Sequence, residues 1–135
     1  MRTDCHLHVN DPRYPYADAA DLHPAPATLD QYRLVQARLG LQRVVVVQPS
    51  SYGSDNRCTL DAVTRFGSEA RAVVVVDADV TASGLEALHR QGARGVRFNL
   101  LRPGPLAADD LEPIARRSAP LGWHIQLHAS ADGIA

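Results

Sequence analysis

The sequence has few cysteines, little excess charge and no long apolar run. These three absences argue against disulfide-rich, nucleic-acid-binding and membrane-spanning proteins. Cys5 and Cys58 are the only cysteines, which argues against a disulfide-stapled fold and a zinc knuckle. No run approaches the roughly 20 apolar residues of a membrane span. The start, Met1-Arg2-Thr3, lacks the apolar stretch of a secretory signal. These absences predict a cytoplasmic protein with reduced thiols.

Lysine is absent as well, and all 14 basic residues are arginines. The net charge is only −1 and both signs are scattered, so the chain has no basic stripe for nucleic acid. With 135 residues, 45% of them apolar, the chain is large enough for a domain with a real core. We expect a single domain over residues 1–135 that binds a small molecule and neither nucleic acid nor a membrane. A homo-oligomer is left open.

Short apolar runs alternate with helix-like segments along the whole chain. The predicted strands are residues 4–9, 44–47, 72–76, 95–101 and 125–127. The predicted helices are residues 28–39, 59–66, 83–91 and 108–121, several of them opened by a residue that can cap a helix. Glycines at positions 40, 67, 92 and 122 mark the helix ends. The order predicts a right-handed parallel β/α winding.

Two architectures fit five such strands: an open doubly wound sheet, or part of a (β/α)8 barrel of ~250 residues. Side chains alternate along a strand, and three strands have one polar face. These polar residues are Asp4, His6 and His8, then Arg97 and Asn99, then His124, Gln126 and His128. An open sheet covered by helices needs two apolar faces, whereas a barrel interior tolerates functional polar groups. We therefore predict an α/β fold, a (β/α)8 barrel of which this chain supplies about the first five strands, truncated before closure.

His6 and His8 are the strongest chemical signal. Two imidazoles spaced i, i+2 on a strand project side by side, and they can bind one metal ion or polarise one substrate carbonyl. His128 ends the fifth strand and is expected to point inward beside them. We predict that His6, His8 and His128 are catalytic, and that they are the ligands if a metal is bound. The remaining histidines, predicted to be structural or solvated, are His124, His23 and His89.

Arg97 and Asn99 offer a cation and a neutral hydrogen-bonding group to the same interior, and we predict that both bind substrate. A buried arginine is costly unless it is paired. Either a substrate carboxylate or an internal bridge to Asp77 or Asp79 would pair it.

The loop of residues 48–56 leaves the second strand at the same end of the barrel and is rich in hydroxyls and amides. Ser50, Tyr52 and Asn56 are its candidate substrate-binding residues. The loop lacks the glycine spacing and lysine of a phosphate loop, and no base lies near its serines in sequence.

Four segments of the chain, residues 4–8, 47–56, 94–99 and 122–128, resemble the amidohydrolase-related family of TIM-barrel metal-dependent hydrolases. Within that family the 2-pyrone-4,6-dicarboxylate lactonase-like proteins are the most similar. The resemblance covers essentially the whole chain, and it lies in four motifs in the right order.

The resemblance implies an enzyme that hydrolyses a lactone or related carboxylate-bearing cyclic ester by carbonyl polarisation and water attack. His6 and His8 would bind a divalent metal, zinc or manganese, or hydrogen-bond the scissile carbonyl with no metal, as in the metal-independent lactonases. Arg97 would hold a carboxylate of an anionic small-molecule substrate. The aspartate that activates water would lie beyond Ala135, so the chain alone is expected to be inactive.

Two departures from that pattern and two alternatives stay open. His128 stands where the pyrone lactonases carry a tyrosine, which favours a metal site, and no second substrate arginine is in register near Pro103. One alternative is a metal-dependent decarboxylase of the same superfamily. The other is a non-catalytic, flavodoxin-like binding domain that is complete as given.

Overall fold

The computed structural model describes residues 1–102 and 104–131. Its single sheet contains five parallel strands in the order β1-β2-β3-β4-β5, namely Thr3–Leu7, Arg43–Val47, Ala70–Val74, Ala93–Asn99 and His124–His128. A flavodoxin-like sheet has the strand order 2-1-3-4-5. The observed order follows the sequence instead, so the flavodoxin-like alternative is wrong.

Four α-helices connect the strands: α1 Leu29–Leu39, α2 Arg57–Phe66, α3 Ala82–Arg90 and α4 Leu111–Ser118. Thr28 caps α1 in a capping box with Gln31, and Gly40 ends it in the left-handed conformation at φ 63°. The last predicted helix is divided, because 3₁₀ turns at Ala108–Asp110 and Ala119–Leu121 flank α4. In the part of the chain that the structure describes, no helix is both long and apolar enough to cross a membrane.

One face of the sheet packs under the helices. Alternate residues of the strands point into this core and meet apolar side chains from α2, α3 and α4. The buried core residues include Val44, Val46, Ala72, Val74, Val96 and Phe98 from the strands and Leu60, Val63, Leu85 and Ile114 from the helices. Burying this apolar surface stabilises the packing of the helices on the sheet by about 25 cal/mol per Å². The face under the helices corresponds to the outer side of a barrel.

The opposite face has three valines at its centre, Val45 and Val47 on β2 and Val73 on β3, which we call the inner valines. Val47 and Val73 are 0% and 1% exposed, although they alternate with the residues under the helices. Side chains from the outer strands must therefore cover them. Arg97 on β4 approaches His6 on β1, with their nitrogens 3.1 Å apart, although β2 and β3 lie between those strands. The sheet is thus strongly curled around its inner face.

Strand β1 departs from simple alternation. Asp4 pairs with Val44 and Leu7 pairs with Val46, so three steps along β1 oppose two along β2. This is a one-residue β-bulge, which shifts the faces on which side chains lie.

The bulge turns the Asp4 carboxylate toward the helices. One oxygen accepts a hydrogen bond from the His6 backbone N–H at 3.1 Å, and the other accepts from the Tyr32 hydroxyl of α1 at 2.9 Å. The prediction that Asp4 shares a face with His6 and His8 is therefore wrong. The two histidines keep the inner face without it.

Candidate active site

The predicted catalytic residues meet at the C-terminal ends of the strands. His6 lies near the end of β1, His8 directly after it, Arg97 near the end of β4 and His128 at the end of β5. We call these four residues the polar cluster. Parallel strands bring their carboxyl ends to one edge, and (β/α)8 enzymes build their active sites there.

Arg97 is the centre of the polar cluster and is only 8% exposed. One terminal guanidinium nitrogen lies 3.1 Å from His6 Nε2, and the other lies 3.3 Å from His128 Nδ1. A guanidinium only donates hydrogen bonds, so both imidazole nitrogens accept from it. In neutral His128 the proton is therefore on Nε2.

His8 is held in a defined tautomer by the backbone of β2. Its Nδ1 lies 2.8 Å from the Val47 carbonyl oxygen, which can only accept, so Nδ1 carries the proton. The Nε2 lone pair of His8 then faces His6 Nε2 at 3.4 Å. Burial lowers the pKa of both imidazoles, and the charge of Arg97 lowers them further. Both rings are therefore neutral at pH 7.

Arg97 has no carboxylate partner among residues 1–102 and 104–131. Burial alone lowers its pKa, and its Nε atom is buried without a hydrogen-bond partner in that part of the chain. Asp77 and Asp79 are exposed in the loop after β3, two of whose carbonyls accept from Arg117 of α4. The alternative in which Arg97 bridges to either aspartate is therefore wrong, and its guanidinium has no anionic partner among the described residues.

Asn99 lies opposite His128 in the register of β4 and β5, and its hydrogen-bond partner Ser50 lines a cavity of about 570 Å³ whose lining does not include the polar cluster. The Asn99 side-chain amide donates to the Ser50 hydroxyl at 2.6 Å. Ser50 also lines the cavity, together with residues 15–20 of the loop after β1, residues 52–55 of the loop after β2, Gly104 and Pro105. Buried Gln48 fixes the second loop by donating to the carbonyls of Gly53 and Asp55. Ser50 therefore faces the cavity, and Asn99 reaches it only through its hydrogen bond to Ser50.

Tyr52 and Asn56, the other two predicted substrate-binding residues, are buried and hydrogen-bonded within the protein. The Tyr52 hydroxyl accepts from the backbone N–H of Asp11 and donates to its carbonyl. Asn56 pairs in the same way with the N–H and carbonyl of Val75. The structure therefore does not bring these two polar groups to the histidines, although the Tyr52 side chain forms part of the cavity wall.

A metal centre was predicted on His6, His8 and His128. The 3.4 Å between His6 Nε2 and His8 Nε2 matches two ligands of a tetrahedral ion, which are about 3.4 Å apart when each bond is about 2.1 Å. Arg97, however, donates to His6 Nε2 and to His128 Nδ1. No group of three or more His, Cys, Asp or Glu side chains in residues 1–102 and 104–131 is arranged to hold a metal ion. The residues in this arrangement do not fit a metal centre.

Two further contacts involve residues for which no such role was predicted. Gln126, between His124 and His128 on β5, has its side-chain nitrogen 3.4 Å from His6 Nδ1. His89 was predicted to be solvated, but its Nδ1 accepts from the Trp123 indole at 2.9 Å and the two rings stack. His89 is therefore a structural contact between α3 and the start of β5. The polar face of β5 was a signal for Gln126, whereas no local pattern identifies the partner of His89.

Proteins of known activity are similar to this chain over nearly its whole length. Residues 3–135 match the amidohydrolase family. A 2-pyrone-4,6-dicarboxylate hydrolase from Comamonas testosteroni is 37% identical over 132 residues, which are 95% of this chain and 43% of that protein. A 4-sulfomuconolactone hydrolase from Hydrogenophaga intermedia is 33% identical over 137 residues, covering 97% of this chain and 45% of that protein.

A solved structure supports the same relationship. The crystal structure of a probable 2-pyrone-4,6-dicarboxylic acid hydrolase from Acinetobacter baumannii with citric acid bound superposes with a TM-score of 0.86 at 28% identity, covering 95% of this chain and 49% of that chain. The chain thus spans less than half the length of these relatives. Its five strands match the N-terminal part of a (β/α)8 barrel, as the polar strand faces predict.

Proposed function

We propose, because the chain belongs to the amidohydrolase family, that the protein hydrolyses a lactone or related cyclic ester that carries a carboxylate. The names of both hydrolase relatives describe an anionic cyclic ester: a pyrone dicarboxylate and a sulfomuconolactone. A small anionic molecule is the ligand that this site would take. Pro103, near which no second substrate arginine is in register, lies outside the described residues.

The observation that carries the proposal is the unpaired charge of Arg97. A buried cation is costly unless an anion compensates it, and a guanidinium fork matches a carboxylate with two parallel hydrogen bonds. His6 and His128 fix the position of the fork but, as neutral acceptors, do not neutralise it. A substrate carboxylate beside the guanidinium would supply the missing charge.

The tautomers suggest how the other residues share the reaction. The Nε2–H of His128 can donate to the carbonyl oxygen and stabilise negative charge as water attacks. The Nε2 lone pair of His8 is not used by the backbone, so it can accept a hydrogen bond from the attacking water and orient it. Asn99 and Ser50 would position the ring of the substrate.

A metal is the other way in which such a carbonyl could be polarised, and the family is usually metal-dependent. Here an ion on His6 would have to displace the Arg97 hydrogen bond and find further ligands. The hydrogen bonds from Arg97 therefore explain the positions of the imidazole nitrogens more simply than a metal ion does.

The test is a ring-opening assay on the longest natural protein that contains this sequence. The substrates are 2-pyrone-4,6-dicarboxylate and unsubstituted 2-pyrone, whose ring absorbance is lost on hydrolysis. We expect the dicarboxylate to have a kcat/KM at least about a hundredfold higher, since loss of a charge-assisted pair costs a few kcal/mol. Equal hydrolysis of both rings would contradict the role of Arg97. Release of carbon dioxide with the ring intact would indicate decarboxylation instead.

A further inference from the structure

We propose that Gln126 is a positioning residue that holds His6 in the tautomer with its proton on Nδ1, which leaves the Nε2 lone pair of His6 to accept the hydrogen bond from Arg97. The tautomer is argued from contacts within the chain alone. Only its catalytic consequence rests on the proposed lactone hydrolysis.

Gln126 lies on the inner face of β5, opposite Arg97 in the register of β4 and β5. Its side-chain nitrogen is 3.4 Å from His6 Nδ1. Its side-chain oxygen is buried and has no hydrogen-bond partner within residues 1–102 and 104–131. A buried amide oxygen without a donor loses its hydrogen bonds to water and gains none, so this orientation of the amide leaves a defect.

The neighbours of His6 determine where its proton is. Arg97 has only donors, and one of them is 3.1 Å from His6 Nε2, so Nε2 must accept. A neutral imidazole then carries its hydrogen on Nδ1, which needs an acceptor. The Gln126 N–H group would instead point a second donor at that hydrogen.

Rotating the Gln126 amide by a half turn removes both conflicts. The oxygen and nitrogen of an amide have nearly the same size and shape, so the hydrogen-bond network decides which atom faces which neighbour. After the rotation Gln126 Oε1 accepts from His6 Nδ1–H and is no longer without a partner. One change thus satisfies a donor and an orphaned acceptor, and it moves the amide nitrogen to the former position of the oxygen.

The opposite tautomer leaves a conflict that no rotation of the amide removes. If His6 carried its proton on Nε2 and donated to His8, the Arg97 donor at 3.1 Å would face another N–H. The Gln126 oxygen would also stay buried without a donor. In the tautomer that we propose, the remaining conflict is between the two Nε2 lone pairs at 3.4 Å. At 3.4 Å this contact is longer than the 3.1 Å contact with Arg97, and the His6 lone pair is directed to Arg97.

The inference gives Gln126 a task in the reaction. With His6 fixed, its Nε2 atom keeps the hydrogen bond from Arg97, and the Nε2 lone pair of His8 stays free to orient the attacking water. Without an acceptor at residue 126, His6 can turn its proton to Nε2, where it would compete with Arg97 and occupy the place of the water. The second ring nitrogen of a functional histidine is commonly controlled in this way by its hydrogen-bond partner.

The direct test is long-range ¹H–¹⁵N correlation NMR of the ¹⁵N-histidine-labelled chain at pH 8, with the His6 signals identified by their loss in His6→Gln. We expect the wild-type chain to show His6 with its proton on Nδ1. Gln126→Met has a similar volume and no acceptor, and it should shift His6 toward the Nε2–H tautomer. Gln126→Glu, whose carboxylate only accepts, should retain Nδ1–H. Gln91→Met, at the exposed end of α3, is the control and should change nothing.

Kinetics of the lactonase then separate positioning from packing. Gln126→Met should lower kcat at least about tenfold with little change in KM, and Gln126→Glu should recover most of the loss. An Nε2–H tautomer of His6 in the wild-type chain, or an unchanged tautomer in Gln126→Met, would overturn the proposal. The expected tautomers without lactone hydrolysis in the wild type would contradict the proposed function alone.

Discussion

The inner face of the sheet consists of two contrasting regions. On β2 and β3 it is apolar, with the inner valines Val45, Val47 and Val73. On β1, β4 and β5 it is polar, with the polar cluster and Gln126. The polar side chains meet each other across the valines: His6 contacts both Arg97 and Gln126, which follow it by 91 and 120 residues.

The contrast indicates a division of labour. The inner valines need no partners other than close packing, and they give the curled sheet a rigid, dry base. The polar cluster gains little from packing, and its central charge is uncompensated within the described residues. Substitutions in the valines should therefore change the free energy of unfolding, and substitutions in the polar cluster should change binding and catalysis.

Arg97→Met is expected to have the largest effect. It should lower kcat/KM for a carboxylate-bearing lactone at least about a hundredfold, or roughly 2.7 kcal/mol, because it removes the charge-assisted pair. It should not lower the urea midpoint of unfolding, because no carboxylate partner is stranded. Arg94→Met is the matched control, since the Arg94 side chain donates to the carbonyls of His89 and Ala93. A destabilised Arg97→Met protein with normal turnover would mean that Arg97 stabilises the fold and does not bind the substrate.

Val73→Ala is the corresponding change in the apolar region. Removing two buried methyl groups should lower the free energy of unfolding by about 2 kcal/mol, from lost burial and the cavity left behind. Val45→Ala should cost less, because Val45 is only half-buried. Urea unfolding of the two variants measures the difference. Equal costs would mean that the polar cluster does not seal the valines beneath it.

Lowering the pH should act on the polar region alone at first. The pKa values of His6 and His8 are lowered by burial and by Arg97, so the unfolded chain binds protons more readily than the folded chain below about pH 6.5. Their contribution to stability is complete above that pH and declines as the pH falls through the unfolded value toward the folded ones. Urea midpoints at intervals between pH 8 and 5 should show the decline, and His6→Gln/His8→Gln should flatten it. If the urea midpoint of the double variant falls with pH as steeply as that of the wild type, groups other than His6 and His8 cause the decline.

Gly95→Ala should have the smallest effect. A Cβ atom at Gly95 would lie 2.6 Å from the ring of His124 on β5. Because His124 is exposed, its ring can turn away, and we expect a cost below about 1 kcal/mol, comparable to an off-rotamer side chain. Combining Gly95→Ala with His124→Ala should remove the cost. A double variant as unstable as the single one would show that the backbone of β4 has moved.

Local pattern was enough to predict the strands, the helices and most of the polar cluster. Period-two alternation placed Arg97, Asn99 and His128 on one face, and glycines marked the helix ends. Asp4 escaped this logic because a bulge, stabilised by its own side chain, shifts the alternation within β1. Such a bulge depends on pairing with β2 and has no signature in β1 alone.

The partners of individual side chains could not be predicted for a related reason. Asn56 pairs with the backbone of Val75, and Tyr52 with that of Asp11, so both are anchors for loops. These contacts join residues 19 and 41 positions apart. The tautomer of His6 depends on contacts with residues that are still farther away along the sequence. Composition and spacing predict which residues are polar and point inward. The fold determines which of these residues form hydrogen bonds within the protein and which remain free for a ligand.

The most direct test of the account is whether the polar cluster binds a carboxylate through Arg97. Citrate, which is not a lactone, can be titrated calorimetrically at low salt into the chain, Arg97→Met and Arg94→Met. We expect the wild-type chain and Arg94→Met to bind it with the same Kd, and Arg97→Met to bind at least about tenfold more weakly, a loss of roughly 1.4 kcal/mol. Binding of equal strength in all three proteins, or none in the wild type, would contradict the assignment of Arg97 as the anion site.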